Sequence, residues 1–296
     1  MGLAQLFTTT SVPSDPGPKP RDSELDLFGL THPGKVRKEN QDHFLVSTVH
    51  QQVVVHGTSL PDPGKLPLRG ERLGTLMLVA DGVGSGAGAD ASRLAVATIT
   101  EYASDTMRCF HQAGRAAEQP FFDALKAAAL QAHDAVRAEA ATREGLRSMA
   151  TTLTLILVVW PAMYVTQVGD SRCYYFINGK IRRVTRDQTL AQDLVDSGAL
   201  PAERAAGSPF SSILASSIGG KEAVPEVTKV DMARGCVVLL CSDGLTKHVT
   251  EPEIEAALKG MTSSEQACRA LVDLALERGG SDNVTVLVGR ARWNKA

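Results

Sequence analysis

The order of apolar patterns along the chain predicts an α+β fold. Strand-like runs occur in groups, and the two long helical patterns, Ala89–Met107 and Phe121–Arg143, follow each other with no strand-like run between them. Asn178-Gly179 separates two strand-like runs, and this pair is the strongest short signal for an antiparallel hairpin because both residues tolerate positive φ. Regular strand–helix alternation, which would predict a parallel sheet, does not occur in this sequence.

The first half of the chain opens with residues 1–23, a Pro- and Ser-rich segment that we expect to be flexible. A strand begins near Leu25, and further strands are predicted at His43–Thr48 and Leu76–Ala80. A Pro- and Gly-rich loop or hairpin is expected between Val55 and Arg72. The helix over Phe121–Arg143 is predicted by apolar residues at helical spacing.

The second half is predicted to contain most of the strands and four shorter helices. Thr250 with Glu253, and Ser263 with Gln266, have the spacing of capping boxes that begin helices reaching Leu258 and Arg278. The remaining elements are strands at Thr151–Val159, Met163–Val168, Cys173–Ile177, Lys180–Val184, Val237–Cys241 and Val284–Val288, and short helical pieces at Leu190–Gly198 and Pro201–Ala206.

Composition narrows the class of protein. The 296 residues are 43% apolar and 22% charged, with a net charge of −2, which fits a soluble globular protein and gives no support for broad binding of nucleic acid or anionic membranes. The five cysteines are scattered and form no CxxC pair, so we expect reduced thiols. We see no secretory signal and no apolar run of about 20 residues. A cytoplasmic protein is therefore expected; a monomer is our expectation for its oligomeric state, which the sequence leaves open.

Aspartates lie at the ends of four apolar runs. Asp81, Asp170 and Asp243 follow such runs, and Asp282 precedes one. Any one Asp-Gly pair is more simply explained as a turn. Four together, on antiparallel strands, can gather at one edge of the sheets, where the carboxylates raise each other's pKa unless a cation neutralises them. Carboxylates without paired His or CxxC favour Mg²⁺ or Mn²⁺ over Zn²⁺.

Six segments, in this order, make the chain resemble the metal-dependent protein phosphatase family, type 2C, in its bacterial form. They are VRKENQDHF (36–44), LVADGVGSGAGADAS (78–92), MATTLTLIL (149–157), VGDSRCYYFINGKIRRVTRDQT (168–189), LLCSDGLTKHV (239–249) and GGSDNVTVLV (279–288). The resemblance implies a four-layer αββα sandwich, with two central antiparallel β-sheets flanked by helices. It implies one domain over residues 24–292, with a small flap subdomain at about 189–219 that we expect to border the substrate groove.

The resemblance also implies the roles of individual residues. The family's reaction is the hydrolysis of phosphoserine and phosphothreonine in proteins by a hydroxide that bridges two Mn²⁺ or Mg²⁺ ions. The implied metal ligands are Asp81 as the bridge, the Gly82 carbonyl, Asp243, Asp282, Asp42 directly or through a water, and Asp170 for a third, weaker ion. Arg37 has the place of a phosphate-binding arginine, whose planar fork suits a phosphate. The implied partners are phosphoproteins, a serine/threonine kinase or its substrates among them.

Two positions depart from the animal-type pattern. Val83 and Gln188 stand where animal relatives have histidine, so no histidine is a strong candidate for the general acid. By strand alternation His43 should face away from Asp42, and His248 is better explained as a satisfied structural histidine.

Four other residues near the motifs are assigned to supporting roles. Arg172 is read as a structural partner of a nearby carboxylate. Thr151 and Thr152 are expected to pack behind the site, and Asn283 to lie next to it.

Three alternatives stay open at this point. Gly84, Gly86 and Ala89 match a loose dinucleotide-binding fingerprint, but the helix that follows leads into another helix, and no Walker lysine is present. A catalytically silent scaffold that binds phosphoproteins would normally lack a metal carboxylate, and none of the four expected ones is missing here. A phosphatase of small phosphorylated metabolites would use the same metal site.

Overall fold

Two antiparallel sheets lie face to face at the centre of the protein. The computed structural model describes residues 16–52, 69–84, 87–113, 118–142, 148–205 and 207–292. Sheet 1 contains, in spatial order, β1 (Leu25–His32), β11 (Val284–Ala291), β10 (Val237–Cys241), β7 (Arg172–Ile177) and β8 (Lys180–Arg183). Sheet 2 contains β2 (Asp42–Gln52), β3 (Arg69–Val83), β5 (Leu153–Val159), β6 (Ala162–Val168) and β9 (Glu226–Asp231), and the short β4 (Ala150–Thr151) pairs with the end of β3.

Helices cover the outer faces of both sheets. Helices α1 (Gly88–Ala113) and α2 (Glu118–Thr142) pack on sheet 2, whereas α6 (Glu251–Lys259) and α7 (Ser264–Glu277) pack on sheet 1. Three short helices occur in the sequence between α2 and α6: α3 (Leu190–Asp196), α4 (Ala202–Ala205) and the single turn α5 (Asp243–Thr246). The α+β fold and the four-layer sandwich with antiparallel sheets are thus confirmed. None of the helices in the described ranges is long and apolar enough to cross a membrane.

Strand alternation divides the apolar residues among three cores. On β3, Leu76 and Leu78 face α1 and α2, whereas Met77 and Val79 face sheet 1. Successive side chains on a strand point to opposite faces. Because both faces of β3 are covered here, its buried part is a continuous apolar run in the sequence. The same parity decides which polar residues at the strand ends enter the space between the sheets.

Most of the predicted elements are confirmed. Asn178 and Gly179 have φ of 52° and 76°, as a two-residue hairpin requires. The backbone N–H of Thr250 donates to Glu253 Oε2 at 2.9 Å, and that of Gln266 donates to Ser263 Oγ at 3.0 Å. These interactions begin α6 and α7 at the expected residues.

Two elements differ from the prediction, and one simpler alternative is excluded. Strand β3 starts at Arg69 rather than near Leu76, so the end of the expected loop belongs to a strand, while residues 53–68 lie outside the described ranges. Strand β9 was not predicted; it is an edge strand whose only buried residue is Val230. Asp243 and Gly244 begin helix α5, so the turn that would be the simpler explanation of a single Asp-Gly pair does not form there.

Part of the N-terminal segment that was expected to be flexible is attached to sheet 2. This part begins at residue 16, where the described residues begin. Arg72 is only 6% exposed, and its guanidinium donates to Asp22 Oδ1 at 2.6 Å and to the Pro20 carbonyl at 2.6 Å. A buried cation needs such partners, so Arg72 holds this part of the segment against sheet 2. Residues 1–15 lie outside the described ranges.

Candidate active site

Asp42 and Asp81 enter the space between the sheets from adjacent strands. They are Cα partners in the β2–β3 register. Asp42 has the parity of Phe44, and Asp81 has that of Val79, and both apolar residues pack in the core between the sheets. Two carboxylates therefore meet at the end of the inter-sheet core. Asp81 is one of the four aspartates expected at one edge of the sheets, and Asp42 is implied by the family resemblance.

Two buried hydroxyls hold the Asp42 carboxylate. Ser242 Oγ and Thr285 Oγ1 donate to Asp42 Oδ2 at 2.8 and 2.7 Å. Oδ1 of Asp42 is buried and has no hydrogen-bond partner among the described residues. Burial raises the pKa of Asp42 to about 6, although these two hydrogen bonds lower it. The charge of Asp243 adds to the rise. One oxygen is thus anchored and the other is left for a ligand.

The backbone of Asp81 is fixed from the β4–β5 side. Its N–H donates to Thr152 Oγ1 at 3.0 Å, and its carbonyl accepts from Thr151 Oγ1 at 2.8 Å. Thr152 Oγ1 also pairs with Ser171 Oγ at 2.8 Å, next to Asp170. Both threonines are buried, which agrees with their expected place behind the site.

The five expected carboxylates lie close enough to interact electrostatically. Burial raises the pKa of Asp81 well above its usual value, and the charges of four other aspartates raise it further; these are Asp42, Asp243, Asp170 and Asp282. Burial, followed by the charges of Asp243 and Asp187, raises the pKa of Asp170 to about 8. Asp81 thus lies within electrostatic range of four aspartates from other parts of the sequence.

Gly82 and Gly244 are needed because other backbone segments pass close to them. A Cβ on Gly82 would lie 2.3 Å from the Gly88 carbonyl oxygen and 2.8 Å from that of Gln41. A Cβ on Gly244 would lie 1.8 Å from the Asn283 carbonyl oxygen. The glycine after each aspartate is therefore a close-approach position, and neither one forms the simple turn that an Asp-Gly pair suggests.

Two side-chain cations contact the carboxylates at the mouth of the site. Arg37 reaches Asp282 with Nε at 2.8 Å from Oδ1 and Nη2 at 3.0 Å from Oδ2. Lys247 Nζ lies 2.6 Å from Asp243 Oδ2 and 2.7 Å from Asp282 Oδ2. Although burial opposes it, the hydrogen bonds from Arg37 and Lys247 lower the pKa of Asp282.

Asn283 ties the loop that carries Arg37 to the end of β11. Its Oδ1 accepts from the N–H of Gln41 at 2.9 Å, and its Nδ2 donates to the carbonyls of Pro33 and Glu39, each at 2.9 Å. The loop therefore enters β2 in a fixed position, with Asp42 directly after Gln41. Asn283 lies next to the carboxylates, as predicted, and supports them through the backbone.

A cleft of about 480 Å³ opens beside Asp170 and Asp243. Its other wall is formed by the predicted flap, including Gln192, Ala205 and Ser212. Gln188 anchors the base of that flap, because Gly169 N–H donates to its Oε1 at 2.8 Å and its Nε2 donates to the Val224 carbonyl at 3.0 Å. Gln188 thus supports both the Asp170 turn and the flap.

Three residues that the sequence assigned to structural roles have such contacts. Arg172 forms a bidentate pair with Asp187, with Nε at 2.9 Å from Oδ1 and Nη2 at 2.6 Å from Oδ2. His43 faces α1 and pairs with Ser92 Oγ at 2.9 Å. His248 Nε2 accepts from the Ser281 N–H at 3.0 Å.

The sequence analysis missed three residues that contact the carboxylates directly: Ser242, Thr285 and Lys247. Lys247 had a detectable signal, since it lies four residues after Asp243 and a helix brings such pairs together. The two hydroxyls had none, because their partner Asp42 lies 200 and 243 residues away in sequence.

The donor chemistry of the site fits hard divalent cations. Mg²⁺ and Mn²⁺ take carboxylate and carbonyl oxygens, and two carboxylate oxygens here, Asp42 Oδ1 and Asp243 Oδ1, are buried without a hydrogen-bond partner in the described ranges. In their present positions, the described His, Cys, Asp and Glu side chains include no group of three that could hold a metal ion. Arg37 and Lys247 contact the expected ligands instead, and the individual metal roles stay predictions.

Comparisons with known proteins agree with this geometry. The family model for protein phosphatase 2C matches residues 68–277. The serine/threonine protein phosphatase PstP of Mycobacterium tuberculosis is 35% identical over 217 residues, which are 72% of this chain and 40% of that protein. The serine/threonine phosphatase stp of Listeria welshimeri is 31% identical over 216 residues, which are 72% of this chain and 83% of that protein.

Solved structures show the same fold. The crystal structure of the M. tuberculosis phosphatase PstP/Ppp superposes with a TM-score of 0.72 at 28% identity, covering 91% of this chain and 99% of the other. The catalytic domain of PstP in complex with two manganese ions superposes with a TM-score of 0.68 at 28% identity, covering 90% and 97% of the two chains. The chain thus spans less than half of the full-length mycobacterial relative, and nearly all of the chain in each of these two structures.

Proposed function

This chain belongs to the protein phosphatase 2C family, and we propose that it hydrolyses phosphoserine and phosphothreonine in proteins with the help of Mn²⁺ or Mg²⁺. The observation that carries the proposal is the convergence of five aspartates at one end of the inter-sheet core, beside an arginine and an open cleft. Two manganese ions are bound by a related catalytic domain, and this chain offers the oxygen donors that such ions need.

Each group at the site has a distinct part in that reaction. Asp42, Asp81, Asp243, Asp282 and the Gly82 carbonyl would hold two cations, with Asp170 as the place for a third. Bound Mn²⁺ or Mg²⁺ would supply an activated water at neutral pH and would offset the charge of the phosphoryl group. Arg37 uses two of its five N–H donors on Asp282 and keeps others for a phosphate oxygen.

Substrate selection is assigned to the cleft and its flap wall. Residues of α3 and α4 line the cleft beside Asp170 and Asp243, so a phosphorylated side chain that enters through this cleft would pass along both helices. Contacts there would be made by the polypeptide around the phosphorylated residue, which a sugar phosphate lacks. This favours phosphoproteins over small metabolites. Three statements stay predictions from the sequence: that a kinase phosphorylates the same proteins, that the protein is located in the cytoplasm, and that it is a monomer.

The proposal is tested by assaying purified protein on an aryl phosphate, a phosphothreonine peptide and a sugar phosphate. We expect turnover with Mn²⁺ or Mg²⁺, none with Zn²⁺ or a chelator, and a higher kcat/KM on the peptide than on the sugar phosphate. Folded protein that shows no turnover with added Mn²⁺ on any of these substrates would support the silent scaffold. A preference for the sugar phosphate would support a metabolite phosphatase.

A further inference from the structure

Lys247 bridges two of the carboxylates that the family resemblance assigns to metal. Its Nζ lies 2.6 Å from Asp243 Oδ2 and 2.7 Å from Asp282 Oδ2. Helix α5 places it there, since Asp243 is the first residue of that one-turn helix and Lys247 follows its last residue, Thr246. The side chain is 38% exposed, so it lies at the boundary between the cleft and the carboxylates.

The two carboxylates depend on Lys247 to different degrees. Asp282 also has the bidentate contact with Arg37. Asp243 has Lys247 as its only ion-pair partner among the described residues, and its second oxygen, Oδ1, is buried without a hydrogen-bond partner there. Among the described residues, Lys247 is therefore the cation in direct contact with the Asp243 carboxylate.

A divalent ion held by Asp243 Oδ2 and Asp282 Oδ2 would compete with the ammonium group for the same position between those oxygens. Mg²⁺ and Ca²⁺ lie about 2.0–2.6 Å from their oxygen ligands, and the Lys247 nitrogen is already within hydrogen-bond distance of the oxygens that would bind. Two cations cannot share that position, because they repel each other and overlap. An ion held through these two oxygens would therefore displace the lysine.

We propose that Lys247 is a tethered competitor of the metal at the Asp243–Asp282 pair. The ammonium stabilises the two carboxylates when the concentration of divalent cation is low, and it weakens the apparent metal affinity because it must be displaced. The inference rests on the proposed function, since it takes these aspartates to be metal ligands. It adds a residue that sets the cation concentration at which the enzyme becomes active.

The test compares Mn²⁺ binding by wild type, Lys247→Met and Lys259→Met after removal of metal, using isothermal titration calorimetry. Lys259 is at the end of α6 and does not line the cleft, so its substitution changes net charge equally without touching the site. We expect Lys247→Met to bind Mn²⁺ about 2- to 5-fold more tightly, as expected from the loss of a competing cation. Lys259→Met should bind as wild type does.

Thermal unfolding gives a second readout that does not depend on activity. With chelator, Lys247→Met should melt at a lower temperature than wild type, since Asp243 loses its counter-charge. Added Mn²⁺ should then raise its Tm by more than it raises that of wild type, because stabilisation grows with affinity. Lys247→Gln, which keeps hydrogen-bonding groups, provides a second variant if the methionine protein folds poorly.

Two results would overturn the inference, and they are distinguishable. Unchanged or weaker Mn²⁺ binding by both Lys247 variants, while wild type binds normally, contradicts competition alone. Absence of Mn²⁺ binding by wild type and variants alike contradicts the metal site itself, and the inference about Lys247 then falls with the proposed function.

Discussion

Asp42 and Asp81 face each other as register partners on antiparallel strands β2 and β3. Asp42 is buried and Asp81 is half-buried, and burial followed by the charge of Asp42 raises the pKa of Asp81. A pair of this kind opposes folding unless the charges are compensated. The arrangement is explained by a function at this position, and it has consequences that can be measured.

Asp81→Asn should remove activity and leave the fold intact. The substitution removes a carboxylate ligand at nearly constant volume and also relieves repulsion with its neighbours. Loss of groups that merely orient metal ligands costs about 10–100-fold, so we expect kcat/KM on an aryl phosphate to fall by more than about 100-fold. The Tm in chelator should not be lower than that of wild type. Retention of a tenth of the activity would contradict the assignment of Asp81.

Ser242→Ala and Thr285→Val should loosen Asp42. Each removes a hydrogen bond to Asp42 Oδ2, which costs about 1–3 kcal/mol when the partner left behind is buried and charged. We expect Mn²⁺ affinity to fall about 10-fold or more and the free energy of unfolding in urea to decrease.

Thr166→Val is the matched control for these two variants. Thr166 is fully buried, and its Oγ1 has no hydrogen-bond partner among the described residues. Thr166→Val should therefore lower neither the Mn²⁺ affinity nor the free energy of unfolding. If Thr166→Val and Thr285→Val behaved alike, the hydrogen bonds to Asp42 would have no special role.

Arg37→Ala should weaken binding of the phosphate ester more than it slows turnover. A charged hydrogen bond contributes about 1.5–3 kcal/mol, which predicts a rise in KM of about 10-fold or more. Lys38→Ala removes a neighbouring charge on the same loop and is the control. Steady-state kinetics with near-normal constants for Arg37→Ala, or an equal effect of Lys38→Ala, would remove the role given to Arg37.

Asp26→Asn should lower stability in a pH-dependent manner. Burial raises the pKa of Asp26, but hydrogen bonds from Arg292, Arg290 and the Ser264 N–H outweigh it and lower the pKa overall. A depressed carboxyl pKa contributes stability above the unfolded value of about 3.9, and that stability is lost as pH falls through the folded value. We expect wild type to exceed Asp26→Asn by about 1–3 kcal/mol at pH 7.

Urea denaturation at several pH values measures this difference. The gap between wild type and Asp26→Asn should be full at pH 7 and should shrink below about pH 4. Asp273 is exposed on α7, so Asp273→Asn should have the same free energy of unfolding as wild type at pH 7 and below pH 4. A gap for Asp26→Asn that does not change with pH would mean that the ion pairs are not its origin.

Trimming the flap between Gly198 and Ser208 should affect peptide and aryl substrates differently. The deletion removes α4 from the wall of the cleft but keeps the bridge between Thr189 and Leu214 that closes the flap. The kcat/KM on a phosphothreonine peptide should change by a larger factor than that on an aryl phosphate, because only the peptide extends along the wall. An unchanged ratio would exclude the flap from substrate selection.

Local signals in the sequence were sufficient for most elements of the fold. The Asn178-Gly179 turn and the caps at Thr250 and Ser263 depend on residues only a few positions apart, so the sequence is sufficient to predict them. Strand β9 was missed because an edge strand that buries only Val230 has almost no apolar pattern. The true start of β3 was missed because Gly70 and Arg72 stand inside it, and its pairing with β2 is decided by tertiary contacts.

By itself the sequence determined the α+β class and the antiparallel hairpin, and it marked aspartates at strand ends as candidates for one site, because strand ends and short motifs can be read locally. Only the tertiary structure decided what surrounds them. Ser242 and Thr285 meet Asp42 across more than 200 residues of chain, and Lys247 joins Asp243 to Asp282. Such contacts depend on how two sheets pack against each other, and strand parity shows which face a residue takes but not which partner it finds there.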